Sequence, residues 1–246
     1  KISADYGTDT STNNFFTARD EDGMHTVVQQ ISGGYLQAMI YDDTGGEGAK
    51  LKLVTNAAYR DVSAWYHIVF AVDTTQGTAS SRAKLYVNGS QVTSFSTETY
   101  ADQDFDSHMN NTNPHYVGSK DGTRDYFDGY LAEFHSIDGQ QLHPGHFGEP
   151  HADSPNIWIP RKYQGTYGDE GFFLEFKQSG TGTDASGMGA DTSGNTNHMA
   201  VNNLTATSQT TDAPTNNFCT MNPLQCQLGS AGAIIKGNLS VSLDTG

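Results

Sequence analysis

Residues 63–75, SAWYHIVFAVDTT, predict a β-strand with apolar side chains on both faces. One face carries Tyr66, Ile68, Phe70 and Val72, and the other carries Trp65, His67, Val69 and Ala71. Strands with two apolar faces are typical of the centre of a covered sheet. The same-face neighbours of His67 are Trp65 and Val69, which are packing residues. We therefore expect a buried, hydrogen-bonded histidine rather than a catalytic base.

Neighbouring segments extend this β-rich pattern. Residues 34–43 (GYLQAMIYDD) and 49–56 (AKLKLVTN) alternate in polarity as half-buried strands do. Asn88-Gly89, within RAKLYVNGSQVTSF, tolerates positive φ at both central positions of a type I′ turn and so predicts a hairpin. Residues 125–139 (DYFDGYLAEFHSIDG) predict another strand, with Gly129 at a bulge or a close approach. Short strands separated by turn residues predict an all-β, antiparallel sandwich.

The composition narrows the possible functions. The 246 residues contain 13 Lys and Arg against 28 Asp and Glu, a net charge of −15. Nucleic-acid binding needs clustered basic side chains, so we expect no nucleic-acid partner. No apolar run reaches the ~18 residues of a membrane span, so we expect no membrane insertion.

A change of composition near residue 150 predicts three parts. Residues 1–150 form the sandwich, residues 151–212 a connecting segment with isolated strands, and residues 213–246 the start of a second β-domain. One weak strand at residues 239–243 leads us to expect that this second domain is truncated. Cys219 and Cys226 match no common zinc or redox spacing, so free thiols are expected and a disulfide is the alternative.

Three segments carry a resemblance to a known family. AWYHIVFAVDTT, AKLYVNGSQVTSF and DYFDGYLAEFHSIDGQQL have the order and spacing of the laminin-G/concanavalin A-like lectin/glucanase sandwich, a jelly roll. The wider chain, including YQGTYGDEGFFLEF, DTSGNTNHMAVNNL and TDAPTNNFCTMNPL, resembles virion proteins of tailed phages, many of them marine. That resemblance covers roughly residues 25–242, and it implies that the last segments lead into a SPRY-like β-sandwich.

The resemblance implies a structural and adhesive role in a virion, as a tail or capsid fibre. The protein would lie on the virion surface or otherwise outside the cell. It would form a homo-oligomer such as a trimer, contact other virion proteins and bind a host-surface glycan. The family supplies no catalytic residues, so we expect a non-enzymatic protein. Two other functions stay open: a glycan-degrading depolymerase on the same fold, and a secreted calcium-dependent lectin-type adhesin.

The depolymerase alternative depends on a pair of carboxylates. Retaining glycosidases hold two carboxyl groups about 5–5.5 Å apart, and side chains on one strand share a face at two-residue steps. Asp128 and Glu133 fall on opposite faces of one strand. Asp169 and Glu175 share a face but lie roughly 20 Å apart in an extended chain. The sequence therefore predicts no catalytic pair within a strand.

Calcium is the possible cofactor, and three alternating aspartates are the candidate ligands. Asp102, Asp104 and Asp106 begin as an EF-hand loop begins, but Ser107 and Asn113 stand where that loop needs Gly and Glu. Rival donors are Asp42, Asp43, Asp121 and Asp125 for calcium, and His143, His146, Glu149 and His151 for a transition metal. Solvated loop side chains are the alternative for every member of these sets.

Aromatic rings in polar loops are the candidate sugar contacts. Tyr116, Tyr126, Tyr163 and Tyr167 lie in or near loops rich in Gly, Asn and Asp, and Tyr41 and Tyr59 are further possibilities. In such loops a ring can stack on a sugar face while polar neighbours orient the hydroxyl groups. The alternative is that these rings cap the sandwich core with their hydroxyls in water.

Overall fold

The computed structural model describes residues 1–2, 12–20, 22–42 and 48–215, and the backbone of residues 232–235 and 240–243. Cys219, Cys226 and Asp43 lie outside the described residues. The strands are β1 (Asn13–Arg19), β2 (His25–Ile31), β3 (Tyr35–Asp42), β4 (Gly48–Ala58), β5 (Ile68–Val72), β6 (Ala83–Val87), β7 (Ser90–Gln91), β8 (Phe95–Thr99), β9 (His115–Val117), β10 (Phe134–Ser136), β11 (Gly148–His151), β12 (Ser154–Pro160), β13 (Phe172–Leu174), β14 (Gly232–Ile235) and β15 (Ser240–Leu243). The helical pieces are α1 (Ala79–Arg82) and 3-10 turns at Ser32–Gly34, Pro144–His146 and Ala206–Ser208.

The predicted all-β, antiparallel class is confirmed by a large sheet and a second layer opposite it. The large sheet has six strands in the order β8-β4-β3-β2-β1-β9. Its register aligns Val28 with Ala38 and Ala38 with Leu53, so apolar residues from β2, β3 and β4 form one continuous inner face. None of the helices in the described ranges has the length and apolar character needed to cross a membrane.

A β-bulge in β1 supplies the core with two adjacent phenylalanines. The register between β1 and β2 shifts between Asn14 and Phe16, so one extra residue enters β1. Phe15 packs in a cluster with Val28, while Phe16 packs in another with Phe172. Without the bulge, strict alternation would send one of the two rings to the outside of the sheet.

The second layer consists of two separate pieces. The sheet β5-β6-β7 packs against the inner face through Leu85, which is fully buried with Leu36 and Val28 in one cluster. The pair β10-β13 packs against the β1 end of the large sheet through Phe172 and Leu174. The predicted hairpin is confirmed, since Asn88 and Gly89 join β6 to β7 with φ values of 48° and 78°.

The opening stretch takes a less central place than its sequence predicts. Within the described residues, β5 pairs with β6 alone and is the edge of its sheet. Four of its five residues are only half-buried. Residues of β5 and β10 both line a cleft of about 850 Å³. The apolar residues on both faces of β5 predict a central strand, whereas the structure places β5 at the edge of its sheet within the described residues.

The later part of the chain folds back onto the sandwich. Trp158 of β12 contacts His67, and Asp212 forms a buried ion pair with Lys1. Asp191, between these two positions, accepts a hydrogen bond from the backbone N–H of Phe173 at 2.8 Å. The weak strand expected at 239–243 corresponds to β15, which pairs with β14.

Candidate functional site

One end of the outer face of the large sheet gathers aromatic and basic side chains. The register pairs Arg19 with His25, and His25 with Tyr41, so the three side chains stand in one row across β1, β2 and β3. The rings of His25 and Tyr41 stack, with centroids 5.1 Å apart and planes inclined by 28°. The adjacent residues Ala18 and Ile40 are buried in the core, which turns the row toward the outside of the sheet.

Strand β9 and the loop that follows it lie beside this row, and each carries one of the predicted tyrosines. Tyr116 pairs with Thr17 of β1. Its ring packs against the loop tip, where a β-carbon on Gly122 would lie 3.3 Å from the Tyr116 Cε1 atom. Tyr126 donates its hydroxyl hydrogen to the Gly122 carbonyl at 3.0 Å. Tyr126 is 50% exposed, so this bond holds a tyrosine ring at the surface.

Asp121 links the loop to the sheet electrostatically. Its carboxylate accepts hydrogen bonds from Arg19 at 3.1 Å, from Arg124 at 2.8 Å, and from the Thr123 backbone and hydroxyl at 3.0 and 2.7 Å. Desolvation by itself raises the pKa of Asp121, but the hydrogen bonds from Thr123 and Arg124 and the charge of Arg124 outweigh it and lower that pKa to about 2. The carboxylate is therefore ionised at neutral pH, and it fixes both guanidinium groups.

His25 is neutral at this surface. Burial is the main cause of a lowered pKa for His25, and the nearby positive charges of Lys120 and Arg19 act in the same direction, against a hydrogen bond to Gly23 that raises it. Its Nδ1 lies 2.9 Å from the Gly23 carbonyl oxygen, a distance that requires Nδ1 to carry the hydrogen. The other ring nitrogen, Nε2, is therefore an acceptor.

These side chains together form what we call the outer-face patch: Arg19, His25, Tyr41, Tyr116, Asp121, Arg124 and Tyr126. It combines ring faces with fixed donors and acceptors, which is the chemistry that binds a polyhydroxylated ligand. Sequence reasoning identified the tyrosines and assigned Asp121 to a different role. It missed Arg19, His25 and Arg124, because only the strand register and the loop conformation bring them to the same place.

Tyr163 and Tyr167 lie elsewhere, in a packed aromatic cluster. Tyr163 is only 7% exposed, and its ring stacks on Phe147 at 5.1 Å. The ring of Tyr167 is nearly parallel to that of His135, and its hydroxyl lies 2.9 Å from the Nδ1 atom of His135. These two tyrosines are therefore not brought together with Tyr116 and Tyr126, and the packing alternative fits Tyr163 in particular.

The three candidate calcium ligands do not converge. Asp102, Asp104 and Asp106 are exposed, and the backbone turns between them, with Asp104 at a φ of 60°. The Phe105 N–H donates to the Asp102 carbonyl at 3.3 Å within this turn. An extended backbone would have placed alternating side chains on one face, and the turn removes that arrangement. Across the described ranges, no group of three or more His, Cys, Asp or Glu side chains is placed to hold a metal ion.

The histidine-rich loop turns its rings onto its own backbone. The Nδ1 atom of His143 accepts a hydrogen bond from the Gly145 N–H at 3.1 Å. The Nδ1 atom of His151 accepts one from the Asp153 N–H at 3.2 Å. Both bonds are local, and Glu149 and His151 lie on β11, so this part of the predicted loop is a strand.

His67 is packed and hydrogen-bonded, as the sequence predicts. Its Nδ1 accepts the indole N–H of Trp158 at 3.0 Å, and the two rings stack with centroids 5.9 Å apart. Burial lowers the pKa of His67 to about 4, so the ring is neutral at neutral pH. Sequence reasoning could not identify Trp158 as the partner, because the two residues are 91 positions apart.

Two carboxylates lie near each other just beyond the end of the β10-β13 pair. Phe134 pairs with Leu174 at the end of the β10-β13 ladder, so Glu133 and Glu175 are the next residues on either side. Desolvation raises the pKa of Glu133; the charge of Lys177 opposes this and that of Glu175 adds to it. Glu175 is ion-paired with Lys177 at 2.5 Å. Single-strand spacing could not reveal this pair.

Comparison with known proteins identifies the fold family. The family described as the concanavalin A-like lectin/glucanases superfamily matches residues 3–142. Searches of curated proteins and of solved structures find no significant match. The matched residues include β1–β10 and all the members of the outer-face patch. The chain belongs to the concanavalin A-like lectin/glucanases superfamily.

Proposed function

We propose that this protein is a non-enzymatic, lectin-like domain that binds carbohydrate through the outer-face patch. The observation that carries the proposal is the exposed ring of Tyr126, held beside the Arg19–Asp121–Arg124 network. A sugar ring can stack on an aromatic face while fixed charged groups bond to its hydroxyls. Because those groups are already oriented, little side-chain freedom is lost on binding.

The biological setting follows from the resemblance to virion proteins of tailed phages. That resemblance supports a tail or capsid fibre at the virion surface, with a host-surface glycan as the ligand. It also supports a homo-oligomer in contact with other virion proteins. Multiple copies would raise the avidity of a weak single site without any new contact in the domain.

A glycan array tests the proposed site, with Tyr126→Ala compared with Tyr126→Phe. The alanine variant removes the ring, and we expect at least about a tenfold loss of affinity, equivalent to about 1.4 kcal/mol. The phenylalanine variant keeps the ring and should retain most of the binding. Binding should survive a chelator, whereas a calcium-dependent adhesin would lose it. Glycan binding that is unchanged in Tyr126→Ala would place the site elsewhere.

Glycoside hydrolysis is a second candidate function, and the apposed carboxylates Glu133 and Glu175 favour it. The charge of Glu175 acts on Glu133, so the two carboxyl groups lie near each other, and retaining glycosidases use two neighbouring carboxyl groups. Glu133, with a raised pKa, would be the acid, and Glu175, which is ion-paired with Lys177, would be the nucleophile.

Reducing-sugar release from host polysaccharide distinguishes the two functions. For a hydrolase, Glu133→Gln should abolish release while Glu98→Gln, at an exposed site, leaves it unchanged. For a lectin, we expect no release from the unaltered protein and normal glycan binding by Glu133→Gln. Turnover that disappears in Glu133→Gln would therefore overturn the non-enzymatic proposal.

A further inference from the structure

A groove of about 540 Å³ opens between the end of β4 and the β6-β7 hairpin. Asn56, Ala57 and Tyr59 line one wall, and residues of the segment 87–94 line the other. Its volume falls within the range of about 300–1,000 Å³ that is typical of small-ligand sites. We call it the amide groove, because Asn and Gln side chains are prominent among its lining residues.

The lining of the amide groove is uncharged. The chain contains 13 basic and 28 acidic residues, yet none of the described residues that line the groove is Asp, Glu, Lys, Arg or His. Amides of Asn56, Asn88 and Gln91 supply both donors and acceptors, and the hydroxyls of Thr93 and Ser94 can act as either. A neutral, polyhydroxylated ligand matches these groups, whereas a charged ligand would lose water without gaining an opposite charge.

Hydrogen bonds within the protein orient two of the amides and leave part of each available. The Asn56 Nδ2 donates to the Ser94 hydroxyl oxygen at 2.8 Å, and the Asn56 backbone N–H donates to the Ser94 carbonyl at 3.2 Å. The Asn88 Oδ1 accepts the backbone N–H of His67 at 2.8 Å. Among the described residues, nothing bonds to the Asn56 Oδ1 or the Asn88 Nδ2. Such fixed groups lose little conformational freedom when a ligand binds.

Tyr59 gives the groove an aromatic wall whose position is fixed. Its backbone N–H donates to the Gly34 carbonyl at 2.7 Å, and its carbonyl accepts from the Gln30 side chain at 2.8 Å. Its ring packs edge-on against Tyr66, with centroids 5.6 Å apart. Burial raises the pKa of Tyr59, so its hydroxyl keeps its hydrogen at neutral pH. A sugar in the groove would therefore contact an apolar ring and a neutral hydroxyl.

The amide groove and the outer-face patch lie at opposite ends of the strands of the large sheet. At the groove end, Tyr35 of β3 pairs with Ala58 of β4. At the patch end, Tyr41 of β3 pairs with His25 of β2. The stretch of β3 from Tyr35 to Tyr41 spans about 20 Å at about 3.3 Å per residue. The two sites share no residue and can be occupied at the same time.

We propose that the amide groove is a second carbohydrate site, which binds an uncharged saccharide through the amides of Asn56 and Asn88 and the ring of Tyr59. This site does not depend on the outer-face patch. Two sites on one domain would let a single copy contact a glycan at two points, which raises the avidity without strengthening either site.

Backbone amide NMR spectra of the full chain locate the bound saccharide. The probes are the uncharged trisaccharides of glucose, mannose, galactose and N-acetylglucosamine, each at about 10 mM, a concentration at which a ligand with a millimolar Kd is bound. Trigalacturonate, the charged counterpart of the galactose trisaccharide, is the matched control ligand. We expect at least one uncharged trisaccharide, and not trigalacturonate, to shift the amide signals of Asn56, Gln91 and Thr93.

Two outcomes of this titration would overturn the proposal. One is that none of the four uncharged trisaccharides shifts the signals of the groove. The other is that trigalacturonate shifts them as strongly as the uncharged trisaccharides do, because an uncharged lining could not then be the basis of recognition.

A matched pair of double variants tests the lining itself. Tyr59→Phe with Thr93→Val removes two groove hydroxyls and keeps the shapes of the side chains. Tyr35→Phe with Thr97→Val makes the same changes outside the groove. The groove variant should raise the Kd of the bound trisaccharide by at least about threefold, as the loss of hydrogen bonds to a ligand does. The control should leave the Kd unchanged, and equal Kd values for the two variants would contradict the proposal.

The variant Tyr126→Ala separates this site from the outer-face patch. We expect it to leave the Kd and the shifted groove signals as they are in the unaltered protein, whether or not the patch itself binds a glycan. If Tyr126→Ala abolishes the shifts at Asn56 and Gln91, there is no independent second site.

Discussion

Asp191 fastens a loop to β13 through a carboxylate that accepts four hydrogen bonds. The donors are the backbone N–H groups of Phe173, Ser193 and Asn197 and the Ser193 hydroxyl, at 2.8 to 2.9 Å. The residue is 7% exposed. Hydrogen bonds to a buried, charged group contribute more than neutral ones, so this single side chain has a large effect on local stability.

Asp191→Asn should lower the free energy of unfolding by about 2–4 kcal/mol, because the amide NH₂ would face two donors that then lack an acceptor. Asp184 is the matched control, since it accepts the backbone and hydroxyl hydrogens of Ser186 in the same way but is exposed. Asp184→Asn should cost far less, because water can replace the lost hydrogen bonds at an exposed site. Urea denaturation at pH 7 measures both, and equal costs would contradict the importance of burial.

The pH dependence of Asp191 provides a separate prediction. Desolvation alone raises the pKa of Asp191, but the hydrogen bonds that it accepts lower it below the ordinary value of 3.8. A lowered folded-state pKa gives stability that is present above about pH 4 and is lost as the pH falls through the lowered value. The difference in stability between the unaltered protein and Asp191→Asn should therefore shrink below pH 4. A difference that stays constant to pH 2.5 would contradict this.

At the scale of single residues, the sequence predicts whether a side chain is packed or exposed better than it predicts which residue that side chain contacts. The packed, hydrogen-bonded state of His67 follows from its apolar neighbours at two-residue steps. Its partner Trp158 does not, because nothing local to either residue records a contact 91 positions away. The outer-face patch shows the same limit, since Tyr126 stands out in a polar loop whereas Arg19 joins it only through strand register.

The β6-β7 hairpin depends on glycine for two reasons. Gly89 has a φ of 78°, which side chains rarely adopt, and a β-carbon there would lie 2.3 Å from the Trp158 ring. The indole of Trp158, which donates a hydrogen bond to His67, therefore packs directly against the hairpin turn. The sequence predicts the turn from Asn-Gly alone, but the close approach of β12 becomes visible only in the fold.

Gly89→Ala should destabilise the protein more than Gly139→Ala does. Gly139 has a similar φ of 73°, yet a β-carbon there would meet nothing within 4 Å. The control thus measures the backbone strain of about 1–2 kcal/mol, and Gly89→Ala should add about 1–3 kcal/mol for displacing Trp158. Thermal unfolding and tryptophan fluorescence measure the two effects, and equal melting temperatures would contradict the role of the indole contact.

The sequence predicts whether a segment is a strand better than it predicts the position of that strand in its sheet. Alternation predicts β3 and β4, and two apolar faces predict β5. The bulge that sends both Phe15 and Phe16 inward breaks the period that such reasoning uses, so β1 escaped notice. Gly129 was expected at a bulge or a close approach, and the structure confirms the approach, since a β-carbon there would lie 2.2 Å from the Lys1 carbonyl oxygen.

At the scale of the whole molecule, distant parts of the sequence meet in a buried ion pair. The Lys1 ammonium contacts the Asp212 carboxylate, and the two side chains are 2% and 1% exposed. Composition alone separates residues 1–150 from 151–212, because the later segment is rich in turn residues. Tertiary contacts such as this pair do not show in local composition, although they attach that segment to the sandwich.

Asp212→Asn should destabilise the protein by about 3–5 kcal/mol, because it leaves the Lys1 ammonium buried without a compensating charge.

Loss of stability should appear in a single unfolding transition in urea if residues 151–212 unfold together with the sandwich. Fluorescence of Trp65 and Trp158 reports on the two parts of the chain, and separate single-tryptophan variants distinguish them. Two transitions with different midpoints would show that the segment unfolds independently.

A double variant tests whether charge or packing is the cause. Lys1→Met with Asp212→Leu removes both charges and keeps apolar volume at the same place. Buried ion pairs replaced in this way are often as stable as the original, whereas the loss of one partner is costly. The double variant should therefore recover at least about 2 kcal/mol relative to Asp212→Asn. If the two variants are equally unstable, the damage comes from lost shape or hydrogen bonding at Asp212, and the uncompensated charge of Lys1 is not its cause.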